Sequence, residues 1–455
     1  TTPATTPGET PISPELQEAF KGATEKFAAS DFNGALEILK ATYAKHPEIM
    51  PPRVAMTQLF ARSNVPQGIP ASLEMATKET PNDPEAYLLL AEIAIQQRNL
   101  TAAGLLLDKA DTLNAAYKAN PERQKNMMVN SLRHRVSLCD AREDWGTMHT
   151  CLTRLIGVQG ETPLLVRQLG VCLFQQKQDA QARELLIKAQ GMKDDKGLPA
   201  DAVLAQLYQL RGDMEKARAS LDAAVKANPE SLEVHSMYVM MKLSDDKLDE
   251  AKAAVEQLYK IDWTANQKEG KQDVSANTKR LVATVALFQG NYAIAERYFQ
   301  ELVTNSPSDA ASINGLALSL CEQTTKDAEN KDVPDMSKLQ RALEYAVGNV
   351  QKNQNNREFL ATLGWICIKA GRTKQAVEVL QQACADGQMT ADTAFYLAKL
   401  SVDEGNNDQA RRLLEGALSN NRPFLKRSEA QKMFKTLPAA AVASPASPAA
   451  PATTR

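Results

Sequence analysis

Residues 212–229 read GDMEKARASLDAAVKANP. Gly212 begins this stretch, and Ala217, Leu221 and Ala224 follow at steps of five, four and three residues. The last three share one face of an α-helix, because residues three and four apart stand above each other on the helix surface. The stretch therefore predicts a glycine turn, an amphipathic helix and a closing Asn-Pro pair.

The alanine of this stretch returns along the chain at a regular interval. The interval is 34 residues from Ala217 to Ala251 and twice that from Ala35 to Ala103. The series comprises Ala35, Ala103, Ala182, Ala217, Ala251, Ala295, Ala342, Ala376 and Ala410. A period of this length is typical of stacked helix pairs, because each pair has an apolar face that it cannot bury alone. A small residue at the repeated position lets two helix backbones approach closely.

The repeated unit resembles the tetratricopeptide repeat. The resemblance lies in the Leu-Gly pairs Leu169-Gly170 and Leu363-Gly364, the turn pair Gly212-Asp213, the repeated alanine and the closing Pro229. It covers residues 15–421 and implies an all-α fold, a right-handed α-solenoid of about eleven helix pairs, of the bacterial multi-repeat type. The tryptophan that the family places in the first helix is mostly missing, since the chain contains only three.

Between Ala103 and Ala182 the repeated position is occupied by Met148. Three intervals are longer than 34 residues, at 45 from Ala103 to Met148, 44 from Ala251 to Ala295 and 47 from Ala295 to Ala342. The added residues lie near 112–124, 263–276 and 323–337. The first addition predicts longer flanking helices. The other two are rich in Lys, Asp, Glu, Gln and Asn and predict solvated loops. Such loops either serve binding or are simply tolerated, because long loops cost little free energy.

The ends of the chain differ in composition from the repeats. Residues 1–14 are rich in Thr and Pro, and residues 439–455 are rich in Ala, Pro and Ser. Both are too poor in large apolar residues to pack, so they are predicted to be disordered. Residues 422–438 combine apolar with basic positions and predict a helix that caps the solenoid.

The sequence gives limited information on location. It starts with Thr and has no apolar stretch of the length that spans a bilayer. A Thr/Pro-rich start often follows a cleaved signal or lipid anchor, which favours an exported or periplasmic bacterial protein, with a possible membrane tether outside the sequence. A cytoplasmic protein and a processed or truncated piece are the alternatives.

Charge and motifs argue against several function classes. The formal net charge is −2 with acids and bases interleaved, whereas nucleic-acid affinity needs clustered Lys and Arg. No phosphate-binding loop or His-Glu-x-x-His motif occurs, and no strands are expected. The nearest approach to a zinc site is His134, Cys139, His149 and Cys151, but the repeat register points them in different directions. The six cysteines are expected to be free thiols, and no enzyme activity, cofactor or metal is predicted.

The resemblance also indicates where partners would bind. In the tetratricopeptide repeat family, the first helix of each pair lines a concave groove that holds peptides or partner helices. One predicted patch centres on Arg133 and Arg167, which are 34 residues apart, and a second places aromatic residues among positive charges. The predicted partner-binding residues are Arg133, His134, Arg167, Gln168, Arg280, Trp365, Lys369, Phe395, Tyr396 and Lys399. The alternative for Trp365 and Phe395 is packing against the next repeat.

These observations predict a non-enzymatic scaffold or adaptor that binds protein or peptide partners in its groove. One alternative is a repeat domain that regulates or positions a larger enzyme or a secretion or envelope assembly. Another is an enzyme in its own right, which a bound metal or cofactor would reveal.

Overall fold

The computed structural model describes residues 13–385, 387–419 and 422–438. Within these ranges the chain forms 23 α-helices and two short β-strands. The chain divides into two compact units, and the division falls between Val203 and Leu204.

The predicted disordered ends lie almost wholly outside the described residues. The exceptions are Ser13 and Pro14, for which the prediction is wrong, because they begin the first helix. The Ser13 hydroxyl accepts a hydrogen bond from the Leu16 backbone N–H at 3.3 Å, and Pro14 is the first helical residue. Serine and proline at these two positions favour a helix start.

The N-terminal unit consists of helices that pack as consecutive pairs, α1 with α2 through α9 with α10. The helices are α1 (Pro14–Ala28), α2 (Phe32–Lys45), α3 (Pro52–Arg62), α4 (Gly68–Glu79), α5 (Glu85–Gln96), α6 (Leu100–Ala116), α7 (Pro121–Arg142), α8 (Trp145–Gln159), α9 (Pro163–Gln175) and α10 (Asp179–Gln190). The next helix, α11 (Ala200–Arg211), contains the division between the units.

The C-terminal unit repeats this arrangement, with pairs α13 and α14 through α21 and α22. Its elements are α12 (Met214–Ala227), α13 (Leu232–Ser244), α14 (Leu248–Lys268), α15 (Ala276–Phe288), α16 (Tyr292–Asn305), α17 (Ala310–Cys321), β1 (Thr324–Lys326), β2 (Asp332–Pro334), α18 (Met336–Lys352), α19 (Arg357–Lys369), α20 (Thr373–Ala383), α21 (Ala391–Asp403), α22 (Asn407–Leu418) and α23 (Arg427–Thr436). The first helices of successive pairs, from α13 to α21, also contact one another and form one face of this unit. Among the described residues, five packed helix pairs in each unit confirm the all-α solenoid fold.

The turn at Gly212 explains why the repeated stretch folds as it does. Gly212 has a φ angle of 85°, in the left-handed region that a side chain disfavours. The carboxylate of the next residue, Asp213, accepts a hydrogen bond from the Lys216 backbone N–H at 3.3 Å. Glycine thus ends one helix, and aspartate caps the start of the next.

The repeated alanines lie where the two helices of a pair meet. All nine have an exposed fraction of 0%. Leu221 and Ala224, which follow Ala217 on the same helix face, are buried as well. The apolar stripe therefore faces the interior, as the spacing predicts.

The three additions to the repeat have different structures. At the first, α6 ends at Ala116 and α7 begins at Pro121, so both helices are lengthened. The loop prediction for 263–276 is wrong for its first half, because α14 continues to Lys268. No Gly or Pro interrupts that part of the sequence before Gly270.

The third addition contains strands, which the sequence analysis did not expect. Strands β1 and β2 pair in antiparallel fashion, with Thr325 opposite Val333. The turn between them is held by the Asp327 carboxylate, which accepts a hydrogen bond from the Lys331 backbone N–H at 2.8 Å. A local carboxylate-to-backbone bond of this kind stabilises a turn without any long apolar run.

The last helix, α23, follows a segment in which Phe424 is buried in the core of the C-terminal unit. Ala430 of α23 is fully buried, and Met433 and Phe434 pack against the same core. The helix is shorter than the predicted range 422–438. Its role as a solubilising cap stays a prediction.

Candidate functional site

Two of the predicted partner-binding arginines are engaged inside their own unit. The Arg167 guanidinium donates hydrogen bonds to the Leu198 carbonyl oxygen and the Asp195 carboxylate, each at 2.6 Å. Arg280 likewise donates to the Asp309 carboxylate at 2.7 Å. Each arginine thereby ties a first helix to the chain segment that precedes the next one. These two side chains stabilise the stacking of neighbouring repeats.

The other predicted residues of the first patch remain nearer the surface. Arg133 is exposed and donates a hydrogen bond to the Gln159 side-chain oxygen at 3.0 Å. Together with the half-buried Gln168, it lines a pocket of about 340 Å³. His134 Nε2 lies 3.7 Å from the Glu92 carboxylate, and burial lowers the pKa of this imidazole. The structure thus brings Arg133 and Gln168 together at one pocket of the N-terminal unit. Arg280 belongs to the C-terminal unit.

The predicted exposed aromatic patch is wrong. Trp365, Phe395 and Tyr396 have exposed fractions of only 1%, 1% and 2%. The Trp365 and Tyr396 rings stack with centroids 4.6 Å apart, and Phe395 lies 6.0 Å from Trp365. Burying such large rings stabilises the core, so they pack between repeats instead of facing a partner. Lys399, on the same helix, is half-buried.

A buried carboxylate organises the remaining residues of that region. Glu322, which the sequence analysis missed, accepts hydrogen bonds from Trp365 Nε1 at 2.6 Å and Lys369 Nζ at 3.1 Å. Lys426 Nζ lies 2.9 Å from the same carboxylate. Burial alone would raise the pKa of Glu322, but the two ammonium groups and the indole N–H hold it below its ordinary value. Lys369 is therefore part of an internal ion cluster that fastens residue 426 to α17 and α19.

The C-terminal unit contains a pocket of about 720 Å³, here called the C-terminal groove. It lies along the face formed by the first helices of successive pairs. Its walls come from α13, α15, α17, α19, α21 and residues 422–425, and include Met240, Thr284, Phe288, Asn314, Leu318, Glu358, Asp392 and Leu425. Tyr396 is the one predicted partner-binding residue that also lines it. A volume of this size and a mixed polar and apolar wall suit a segment of polypeptide.

Asp392 is the unusual group in this groove. It is the second residue of α21, and its Oδ1 atom is shielded from solvent without a hydrogen-bond partner among the described residues. Burial raises its pKa to about 7, and the negative charge of Glu358 acts in the same direction. An acidic residue in the first turn of a helix is ordinary, so no sequence signal marks this one.

The cysteine and histidine residues considered for zinc do not form a site. Cys139 and Cys151 are buried in one apolar cluster of the N-terminal unit. Within the described ranges, no three His, Cys, Asp or Glu side chains are grouped closely enough to hold a metal ion. The six cysteines of those ranges are free thiols.

Paired helices, the buried alanine at their crossing and a groove on one face define a helical-repeat scaffold. Two family models, both described as tetratricopeptide repeat, match residues 59–121 and 202–231. These two stretches of the chain are tetratricopeptide repeats, a class of helical repeat that forms protein-interaction scaffolds. No protein of curated function matches it significantly.

Solved structures with a similar fold have low sequence identity. A tetratricopeptide repeat protein from Parabacteroides merdae is 15% identical, over 68% of this chain and 98% of that one, with a TM-score of 0.34. TTC0263, a thermophilic TPR protein in Thermus thermophilus, is 17% identical over 45% and 97%, with a TM-score of 0.35. A human IFIT1 dimer with m7Gppp-AAAA is 15% identical over 79% and 83%, with a TM-score of 0.43. At these values the likenesses carry no argument about function.

Among the described residues, no helix combines the length and the apolar character needed to cross a bilayer.

Proposed function

We propose that the chain is a non-enzymatic scaffold that holds an extended segment of a partner protein in the C-terminal groove. The groove itself carries the proposal. Five successive first helices contribute to one continuous wall, so a bound segment would contact several repeats at once. In a solenoid, weak contacts from several repeats add up to specific binding along one extended surface.

The chemistry of the wall supports a polypeptide ligand. Phe288 and Leu318 offer apolar area, while Thr284 and Asn314 offer hydrogen-bonding groups at the spacing of neighbouring repeats. Apolar area supplies affinity, and a few placed polar groups fix the register of the bound chain.

The experiment uses a degenerate library of nonapeptides with acetylated amino ends and amidated carboxyl ends. The full chain is immobilised, and the retained peptide is measured for two matched variants, Met240→Arg and Met336→Arg. Both methionines are exposed, at 39% and 67%, but only Met240 lines the groove. An arginine at 240 adds bulk and charge in the groove and should lower retention by at least about tenfold.

Met336→Arg is the control, because this residue starts α18 and lies outside the groove. It should retain peptide as the unmodified chain does. Equal retention by all three proteins would show that the groove is not the binding surface, and so would failure of the unmodified chain to retain any peptide.

A further inference from the structure

Asp392, in the wall of the C-terminal groove, is a largely desolvated carboxyl group without a paired cation in the described part of the chain. Its Oδ1 atom is shielded from solvent and has no hydrogen-bond partner among the described residues, whereas the carboxyl accepts a hydrogen bond from the Leu425 backbone N–H and part of the side chain still reaches the groove. A buried carboxylate without a paired cation is costly, because water no longer solvates the charge. A positively charged group of a ligand would therefore lower the cost of ionising Asp392.

The cations near Asp392 are already committed to other groups. Lys426 Nζ lies 2.9 Å from the Glu322 carboxylate and 2.8 Å from the Glu429 carboxylate. Arg357 donates a hydrogen bond to the Gln388 side-chain oxygen at 2.7 Å. Lys426 thus acts on Asp392 only through space.

A second carboxylate lies in the same wall. Glu358 stands in the first turn of α19, as Asp392 stands in the first turn of α21, and the two lie close enough for their charges to interact. Two carboxylates from neighbouring repeats would repel each other less with a cation bound between them.

We propose that the groove recognises a lysine side chain of the partner segment, with its ammonium group at Asp392 and Glu358. This inference rests on the proposed function, since it names the chemistry of the segment that the groove would hold. The apolar wall residues Phe288, Leu318 and Leu425 suit the aliphatic stem of lysine.

The geometry selects lysine over arginine. Arginine gains most from a carboxylate when both oxygens accept its parallel N–H groups. At Asp392 one carboxylate oxygen is shielded from the groove, so an arginine cannot form a bidentate ion pair with it. A compact ammonium group needs only a single accessible oxygen.

The protonation of Asp392 gives the recognition a pH dependence. Burial raises the pKa of this carboxyl to about 7, so it is mostly neutral below pH 7 and charged above. A lysine ammonium stays protonated throughout this range. Binding should therefore strengthen as the pH rises through 7. The other charged or titratable groups around this carboxyl are Arg357, Glu358, Tyr396, Arg422 and Lys426.

The test compares four pools of nonapeptides with degenerate flanks. Three have blocked ends and carry lysine, arginine or norleucine at the centre, and the fourth has a free amino terminus and no lysine. Retention is measured at pH 5.5 and pH 8 on the full chain and on Asp392→Asn. At pH 8 the unmodified chain should retain the lysine pool about tenfold more than the norleucine pool. This preference should shrink at pH 5.5 and vanish in Asp392→Asn.

The outcomes separate the inference from the proposed function. Equal retention of the lysine and norleucine pools, with binding still sensitive to Met240→Arg, would overturn the lysine inference and leave the groove as the binding site. Arginine or free-amine pools that bind as well as the lysine pool would also overturn it. No retention of any pool would overturn both. Circular dichroism on Asp392→Asn checks that the variant is folded.

Discussion

Asp392 carries a charge that the folded chain disfavours at neutral pH. Its pKa of about 7 in the folded state lies above the value of about 3.9 expected in an unfolded chain. The native state therefore binds the proton more tightly, and its stability falls as the pH rises from about 4 to 7, with the full penalty above pH 7. Asp392→Asn cannot ionise and should escape this penalty.

The expected result is that Asp392→Asn gains roughly 3 kcal/mol more in the free energy of unfolding at pH 8 than at pH 4.5, because most of the penalty for ionising Asp392 develops between these pH values. Urea unfolding at the two pH values measures it. Asp408→Asn is the matched control, because Asp408 is an exposed residue in the first turn of α22. If the two substitutions behaved alike at both pH values, Asp392 would not be a desolvated carboxyl.

At the scale of single residues, the sequence predicted burial better than it predicted function. The repeat spacing located nine fully buried alanines, because close helix packing demands a small residue at a fixed place in each repeat. The sequence left Trp365 and Phe395 open between a surface patch and packing against the next repeat, because the repeat register specifies the helix but not how far a large side chain turns inward. Glu322 was missed because its partners lie 43 to 104 residues further along the chain.

At the scale of elements, the turns within the helix pairs differ between the two units. The C-terminal unit uses glycine in several turns, including Gly405 with a φ angle of 78°. In the N-terminal unit the corresponding residues are Ser30, Asn64, Arg98, Glu143 and Lys177, with φ angles between 55° and 63°. A glycine search therefore identifies several turns of the C-terminal unit, but it misses the turn at Asp246, with a φ angle of 60°, and the turns of the N-terminal unit.

Two glycines eleven residues apart test this account of the turns. A Cβ added at Gly405 meets no atom within 4 Å, so Gly405→Ala should cost about 1–2 kcal/mol through its left-handed backbone alone. Gly416 has equally open surroundings but lies inside α22. Gly416→Ala should therefore stabilise the protein by about 0.5–1 kcal/mol, since alanine favours helix. Thermal melts that shift in the same direction for both variants would contradict the argument.

The additions to the repeat show where sequence patterns fail to predict secondary structure. Charged residues indicate exposure but not the type of element, so residues 263–268 were assigned to a loop although they continue α14. The hairpin of β1 and β2 depends on a local turn at Asp327 and exposes all but one of its strand residues. Neither element has an apolar period from which it could be recognised.

At the scale of the whole molecule, the repeat architecture predicts how far along the chain a substitution lowers stability. Each helix pair of a solenoid contacts only its neighbours, so stability is close to a sum of local terms. Ala217 of α12 is fully buried, and the stretch around it carries the repeat pattern described above. Leucine at this position adds volume where two helices cross and should cost about 1–3 kcal/mol.

The loss caused by Ala217→Leu should be confined to its neighbourhood along the chain. Hydrogen exchange should accelerate at residues 200–230, while the amides of α1 to α4 and of α19 to α22 keep their protection. Ala219→Leu is the control, since this neighbouring residue is exposed on the same helix. Faster exchange throughout the chain would mean that the protein unfolds as one cooperative unit. No faster exchange at residues 200–230 would mean that the packing around Ala217 accommodates a leucine side chain. A local response would instead explain how so long a chain tolerates three additions of different structure, because each would disturb only the pair that carries it.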